Sequence, residues 1–299
     1  MRKVEFNRSQ VVKYLIWTFA IAWAIQACVA VLYNKGNSAI GQMVMAGMMF
    51  VPTLGVLLSG GKLSGMGWNP RIPENIKPIL IAWFAPAVLT AIGVILFFLV
   101  FPGYLDLTGS TLAAGGASEA LDQMAAKGIT YPIYILIGVV SALSYGPLIN
   151  TFVSLGEEIG WRGFLYPQLK SRFGRRKGWL LGDTIWGAWH WPLIWLIGYE
   201  YGPKYVGFPV VGMLVFCLFT IALGILSDWL YEKSGSIWLP SICHGAVNAA
   251  AGVPLMVCLP DIGSARLLGP APNGLIAGLP ILAVGAILLI RGKKEIESN

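Results

Sequence analysis

Long, almost unbroken apolar stretches recur along the whole chain. A bilayer core about 30 Å thick is crossed by a helix of roughly 20 mostly apolar residues, and about eight stretches reach that length. Because they are continuous rather than alternating, they predict membrane-spanning helices and not the strands of a barrel. With approximate ends, the stretches are 11–33, 40–59, 79–101, 134–156, 179–198, 207–230, 236–258 and 274–290.

The composition agrees with a membrane protein. Of the 299 residues, 56% are hydrophobic and 12% are charged, about half the charged share of a soluble domain. The sequence therefore predicts an all-α, polytopic integral membrane protein that forms one domain over residues 1–299. We expect contacts with membrane lipid, none with nucleic acid, and a place in the plasma (cytoplasmic) membrane.

Lysine and arginine residues concentrate in alternate connections between the apolar stretches. The positive-inside rule places such connections in the cytoplasm, so both termini are predicted to be cytoplasmic. The segment from about 102 to 131 is then the longest non-cytoplasmic one, and residues 117–127 within it can form a short surface helix. The basic residues are Arg2, Lys3, Arg8 and Lys13 at the N-terminus, those of the connections 62–77 and 170–177, Lys233, and Arg291, Lys293 and Lys294 at the C-terminus.

A charged stretch, GEEIGWRGF at 156–164, interrupts this apolar chain. If the fourth helix continues through residue 166, Gly156, Gly160 and Gly163 form a narrow stripe along it. Such a stripe lets a second helix approach closely.

The two glutamates of this stretch have separable roles. Glu158 and Arg162 are an i,i+4 pair and are predicted to form an ion pair. Glu157 lies beside the glycine stripe with no partner in its own helix, so its carboxylate should find partners on other helices. The same charges would also be explained if they lay at a helix end and were solvated by lipid headgroups. The polar residues of the other helices must decide between this interpretation and a functional site.

Two of those helices carry the histidines. His190 lies in the fifth stretch, and His244 lies in the seventh with Asn248 one turn later on the same face. At 1.5 Å per residue, Glu157, His190 and His244 each lie roughly 16 to 20 Å from the nearest basic cluster. We therefore expect them at a similar depth, where ionisable groups are functional candidates.

Three other polar or aromatic residues of these helices receive weaker interpretations. Trp186, one turn before His190, is expected to pack rather than to wall a site. Asp183 and Asp228 lie near predicted helix ends and are expected at the membrane interface.

These residues resemble the motifs of the CPBP family, which comprises type II CAAX prenyl proteases, bacteriocin-processing proteases and related immunity proteins, often called the Abi family. The resemblance covers roughly residues 145–255, and tryptophan replaces the phenylalanine that is usual in the second motif. The matches are Glu157, Glu158 and Arg162 to EExxxR, Trp186 and His190 to an aromatic residue followed four positions later by histidine, and His244 and Asn248 to HxxxN.

The resemblance implies an intramembrane endopeptidase with a cavity open toward the cytoplasmic side. It implies that Glu157 and His190 activate water and that His244 and Asn248 support the oxyanion. Glu157 is thus our candidate general base. Glu158, Arg162 and Trp186 would support these groups without taking part in the chemistry.

Two alternatives remain open at this point. Glu157, His190 and His244 also make a His₂Glu ligand set for one divalent metal such as zinc, although the HExxH signature is absent; we favour direct glutamate–histidine catalysis. The function is predicted to be proteolysis of membrane-associated or prenylated peptides, and the alternative is a non-catalytic peptide-binding or bacteriocin-immunity protein that uses the same cavity. A transporter is disfavoured because no inverted repeat is found.

Overall fold

The computed structural model describes residues 4–292. Arg2, Lys3, Lys293 and Lys294, on which the orientation prediction partly depends, lie outside this range. Within it the chain is helical and contains no strand, only an isolated antiparallel bridge between Leu105 and Cys258. The all-α prediction is confirmed.

Many of the helices follow one another directly, whereas residues 257–278 form a long connection between α14 and α15. The first eight are α1 (Arg8–Asn34), α2 (Ser38–Met48), α3 (Val51–Leu58), α4 (Ile72–Val100), α5 (Ser110–Leu112), α6 (Ser118–Ala126), α7 (Tyr131–Leu143) and α8 (Tyr145–Gly160). The others are α9 (Tyr166–Phe173), α10 (Arg175–Trp189), α11 (Trp191–Ile197), α12 (Val210–Ser234), α13 (Trp238–Ala251), α14 (Val253–Met256) and α15 (Leu279–Arg291). Helix α6 confirms the short surface helix predicted within 117–127.

Several helices have the length and apolarity to cross a membrane. In the described part of the chain these are α1, the α2–α3 segment, α4 and α12, and a fifth span is obtained if the pair α5–α6 and α7, bent by 100°, is counted as one. The membrane class is therefore confirmed, whereas the number of eight spans and the orientation stay predictions.

Besides the span that forms α2 and α3, three of the predicted spans are each broken into two helices. The breaks fall at Ser144 between α7 and α8, at His190 between α10 and α11, and at Gly252 between α13 and α14. Proline stands in the first turn of α11 and of α14, and its ring disfavours a continuous helix through the preceding residues. Apolar runs alone did not show these breaks.

The charged stretch remains helical beyond residue 166, as predicted. Helix α8 continues into a π-helical turn, Trp161–Leu165, and then into α9. A Cβ on Gly156 would lie 2.7 Å from the Met49 carbonyl oxygen, and one on Gly160 would lie 2.3 Å from the Pro52 Cβ. The glycine stripe thus permits the predicted close approach, and the element that approaches is the junction of α2 and α3.

Helices α8, α10 and α13 form the interior of the molecule. Helix α13 packs against α8, α4 and α12, and α10 packs against α9 and α12. Helices α8 and α13 approach closely because Gly245 has no side chain. A Cβ at this position would lie 2.5 Å from the backbone nitrogen of Thr151. Glu157 and Glu158 lie on α8, and His244 and Asn248 lie on α13, whereas Asp228 lies on α12.

Candidate active site

One cavity of about 370 Å³ brings the predicted site residues together. Glu157 from α8, His190 from the end of α10, and His244 and Asn248 from α13 all line it. The remaining lining is largely aromatic and aliphatic, including Phe216 and several methionines. The cavity therefore presents a carboxylate, two imidazoles and an amide within apolar walls.

The Glu157 carboxylate is buried and held by two indoles. Its Oε2 accepts hydrogen bonds from Trp186 Nε1 at 2.7 Å and from Trp161 Nε1 at 3.1 Å. The predicted partner on another helix is thus present, but the expectation of no partner along its own helical stretch is wrong, because Trp161 is four residues away. The expectation that Trp186 only packs is also wrong. Both bonds use Oε2, so Oε1 is left for a water or substrate atom.

The ring of His190 is oriented by backbone and aromatic contacts. Its Nδ1 lies 3.0 Å from the Trp186 carbonyl oxygen, which can only accept, so Nδ1 carries the proton. The ring also packs against Trp189 and Phe216 at centroid distances of 4.8 and 4.9 Å and lies parallel to Tyr199 at 6.3 Å. In the neutral ring Nε2 is then the acceptor nitrogen.

His244 and Asn248 lie on α13 and differ in their contacts. His244 Nδ1 is 2.8 Å from Glu158 Oε1, and its ring packs edge to face on Trp186 at 5.2 Å. The carboxylate holds the Nδ1 proton and so fixes the imidazole orientation. Asn248 is exposed to the cavity, and its amide forms no hydrogen bond within residues 4–292, which leaves it free for a ligand.

A fully buried network of charges lies behind His244. Glu158 Oε1 also pairs with Arg162 Nη1 at 3.0 Å, which confirms the predicted i,i+4 ion pair. Arg162 Nη2 lies 3.6 Å from Asp183 Oδ1, and Tyr166 donates its hydroxyl to the same oxygen. The Arg162 guanidinium also covers the Trp186 ring at 4.5 Å. One guanidinium thus links the Glu158–His244 pair to α10.

Asp183 and Asp228 have fully buried side chains, and their expected position at the membrane interface stays a prediction. Asp183 joins the Arg162 network. Asp228 Oδ2 accepts from Lys170 Nζ and from Trp179 Nε1, each at 2.5 Å. Each carboxylate is buried because a cation and a further donor from other elements compensate it, and such partners are invisible in a linear sequence.

Three further residues on the cavity wall, Tyr199, Glu200 and Asn273, were not predicted from the sequence. Tyr199 and Glu200 come from the connection between α11 and α12, and Asn273 comes from the connection between α14 and α15. One signal could have drawn attention to Glu200, since it is the only acidic residue between Asp183 and Asp228.

The residues considered for metal binding are not arranged as a ligand set. Among residues 4–292, no three histidine, cysteine, aspartate or glutamate side chains are placed so that they could hold a metal ion. As placed, Glu157, His190 and His244 do not fit a zinc site, and no step below involves a metal.

Comparison with known proteins agrees with the motifs. A family model described as "Type II CAAX prenyl endopeptidase Rce1-like" matches residues 139–250, a segment that contains all the motif residues. The chain is 27% identical over 139 residues to a protein of Methanococcus maripaludis described as "CAAX prenyl protease 2". That alignment covers 39% of this chain and 51% of the relative, so it spans about half the relative's length. The resemblance to the CPBP family is confirmed.

Proposed function

We propose that this protein is an intramembrane endopeptidase that hydrolyses membrane-associated or prenylated peptides in the cavity lined by Glu157. The observation that carries the proposal is the convergence of Glu157, His190, His244 and Asn248 from three helices on one cavity. Ionisable groups inside membrane helices are costly and usually functional. Here they supply the two things that peptide hydrolysis requires, an activated water and oxyanion donors.

Glu157 and His190 are assigned to the water. The indoles of Trp161 and Trp186 fix the carboxylate through Oε2, so Oε1 can accept a proton from a water that His190 Nε2 helps to position. As the water oxygen bonds to the scissile carbonyl carbon, its proton passes to Glu157. Glu157 then returns the proton to the leaving amine as the C–N bond breaks.

His244 and Asn248 are assigned to the oxyanion. With Nδ1 held by Glu158, a protonated His244 can donate from Nε2, and the Asn248 amide can donate beside it. Fixed donors aimed at a developing negative charge are among the largest contributions to catalysis. Arg162 and Glu158 would act only by holding His244 in place.

The side of the membrane from which the substrate enters is set by the cavity and the orientation together. The resemblance implies a cavity open to the cytoplasm. However, its loop residues, Tyr199, Glu200 and Asn273, belong to connections that the distribution of basic residues assigns to the non-cytoplasmic side. The two predictions therefore oppose each other, and labelling of single cysteines from one side of the membrane decides between them.

The proposal is tested by cleavage of a mixed peptide library, including farnesylated C-terminal peptides, by the purified protein in detergent. Glu157→Gln is nearly isosteric and removes the base, so we expect cleavage to fall by about 100-fold or more while folding is retained. Glu119→Gln, at an exposed position on α6, is the matched control and should cleave like the wild type.

A strong chelator provides a second arm of this experiment. Direct glutamate–histidine catalysis predicts that the chelator leaves the rate unchanged. Cleavage that persists in Glu157→Gln would disprove the assignment of the base, and loss of cleavage with the chelator would show that a metal is required.

A further inference from the structure

Glu200 is a second carboxylate on the cavity wall, and it belongs to none of the three motifs. It lies between α11 and α12 and is half-buried. Asn273 Nδ2 donates to its Oε2 at 2.6 Å, and the Tyr199 side chain also hydrogen bonds to the carboxylate. Arg266 Nε donates to the Glu200 backbone oxygen at 3.2 Å. The neighbouring Tyr199 and two residues of the connection between α14 and α15 therefore fix this residue.

The backbone at Glu200 is also unusual. Its φ of 68° lies in the left-handed region, which costs a residue other than glycine about 1 kcal/mol or more. Glycines at 198 and 202 adopt similar values of 64° and 67° without that cost. The fold thus accepts a glutamate in a conformation that suits glycine, at a position on the cavity wall.

Apart from the two histidines, the charged side chains on the described part of the cavity wall are acidic. Its lining includes the carboxylates of Glu157 and Glu200 but neither lysine nor arginine. Burial raises the pKa of Glu200, and the hydrogen bonds from Tyr199 and Asn273 and the nearby charge of Arg266 lower it only in part. A cation beside the carboxylate would favour its ionised form.

Resting on the proposed function, we propose that Glu200 forms an acidic subsite that binds a cationic group of the peptide substrate near the scissile bond. The group is a lysine or arginine side chain or a free amino terminus, which share the same chemistry. A peptide whose free carboxyl terminus reached this wall would be repelled. The subsite therefore selects basic peptides from the substrates that the cavity can accept.

The test uses one decapeptide that the wild type cleaves, remade with lysine, norleucine or glutamate at each position around the scissile bond. Each peptide is made with a free and with an acetylated amino terminus, which separates the two sources of positive charge. kcat/KM is measured for the wild type, Glu200→Gln and the exposed control Glu119→Gln. Asn273→Ala is a further variant that keeps the carboxylate but removes one of its supports.

At one position, or at the free terminus, we expect the wild type to favour the cationic peptide over its neutral counterpart by about tenfold. Glu200→Gln should abolish this preference while cleaving the norleucine peptide nearly as well as the wild type. Asn273→Ala should weaken it, and Glu119→Gln should keep it.

Two results would overturn the subsite. One is cleavage by the wild type without any preference for cationic peptides, and the other is a preference that survives in folded Glu200→Gln. If no peptide is cleaved, the proposed function fails, and binding of the lysine and norleucine peptides, followed by fluorescence anisotropy, then decides the subsite: equal affinities overturn it.

Discussion

Glu158 lies where the candidate oxyanion donor meets the buried charge network. Its Oε1 contacts both His244 Nδ1 at 2.8 Å and Arg162 Nη1 at 3.0 Å. A carboxylate shared in this way stabilises the guanidinium and orients the imidazole together. Removal of Glu158 should therefore lower both stability and activity, whereas removal of the Glu157 carboxylate should lower activity alone.

We expect Glu158→Ala to lower the free energy of unfolding by about 3–5 kcal/mol, because Arg162 would remain buried with only Asp183, at 3.6 Å, as a charged partner. It should also reduce cleavage, since His244 loses the acceptor of its Nδ1 proton. Thermal unfolding in detergent, followed by tryptophan fluorescence, measures the first effect, with Glu119→Ala as the exposed control. Unchanged unfolding of Glu158→Ala would show that the network contributes nothing to stability.

Contacts between residues that are close in the sequence could be predicted, whereas contacts between different helices could not. The Glu158–Arg162 pair follows from four-residue spacing on a helix, so the sequence was sufficient. The bond from Trp186 to Glu157 joins residues on different helices, and its existence depends on how α8 and α10 pack. The same is true of Asp183, whose partners Arg162 and Tyr166 lie on the α8–α9 stretch.

Helix α12 approaches that network through a glycine. A Cβ on Gly224 would lie 1.5 Å from Asp183 Oδ1 and 2.8 Å from Arg162 Nη2. Neither atom can move away without losing its buried partners, so the absence of a side chain at this position allows α12 to cover the network.

Gly224→Ala should therefore destabilise the protein strongly, by several kcal/mol or about as much as a broken buried ion pair. Gly47 on α2 is the matched control, because a Cβ there meets nothing within 4 Å, and alanine at that position should be neutral or stabilising by up to about 1 kcal/mol. Both variants are compared by thermal unfolding. Equal transition temperatures would contradict the close contact between α12 and the network.

The connection between α4 and α5 is ordered around Asp106. Asp106 Oδ1 accepts from the backbone nitrogen of Thr108 at 2.9 Å, and Oδ2 accepts from that of Ser110 at 2.9 Å; both hydroxyls also donate to the carboxylate. Burial raises the pKa of Asp106, but these hydrogen bonds outweigh it and lower the pKa from 3.8 to about 2. The folded connection thus stabilises the ionised carboxylate.

This shift predicts how the contribution of Asp106 depends on pH. Because the pKa is lower in the folded state, the stabilisation is complete above about pH 4 and is lost as the pH falls through 2. The difference in unfolding temperature between the wild type and Asp106→Ala should accordingly be largest at neutral pH and smaller at pH 2. Asp122→Ala, at an exposed position on α6, should show almost no difference at either pH. If the difference in unfolding temperature between the wild type and Asp106→Ala is as large at pH 2 as at neutral pH, the charge of Asp106 has no such role.

For the whole molecule, the sequence was sufficient to predict a helical membrane protein but not the number of its spans. The class follows from the apolar content, which no water-exposed fold of this size could bury. The span count requires knowing where helices break, and a single residue such as Ser144, His190 or Gly252 decides that. Of the cavity, the sequence predicted only that Glu157, His190 and His244 lie at a similar depth. The rest of its wall includes Glu200 and Asn273, which belong to connections whose position the sequence does not show.

The orientation of the molecule has a direct consequence for the proposed substrate. The basic connection between α9 and α10 lies at one end of these helices, and His190 ends α10 at the other. The cavity residues Glu200 and Asn273 follow at that second end. If the basic residues are cytoplasmic, this end of the cavity faces the opposite side of the membrane.

Labelling of single cysteines with a membrane-impermeant maleimide determines the orientation. In a Cys28→Ser background, which removes the only exposed cysteine, Glu119→Cys on α6 and Arg172→Cys on α9 place one thiol on each predicted side. The positive-inside rule predicts that intact spheroplasts label position 119, and that position 172 is labelled only after lysis. That result would show that the end of the cavity with Glu200 and Asn273 faces the non-cytoplasmic side. The expected opening toward the cytoplasm would then be wrong. The reverse pattern would disprove the orientation predicted from charge and allow substrates to enter this end of the cavity from the cytoplasm.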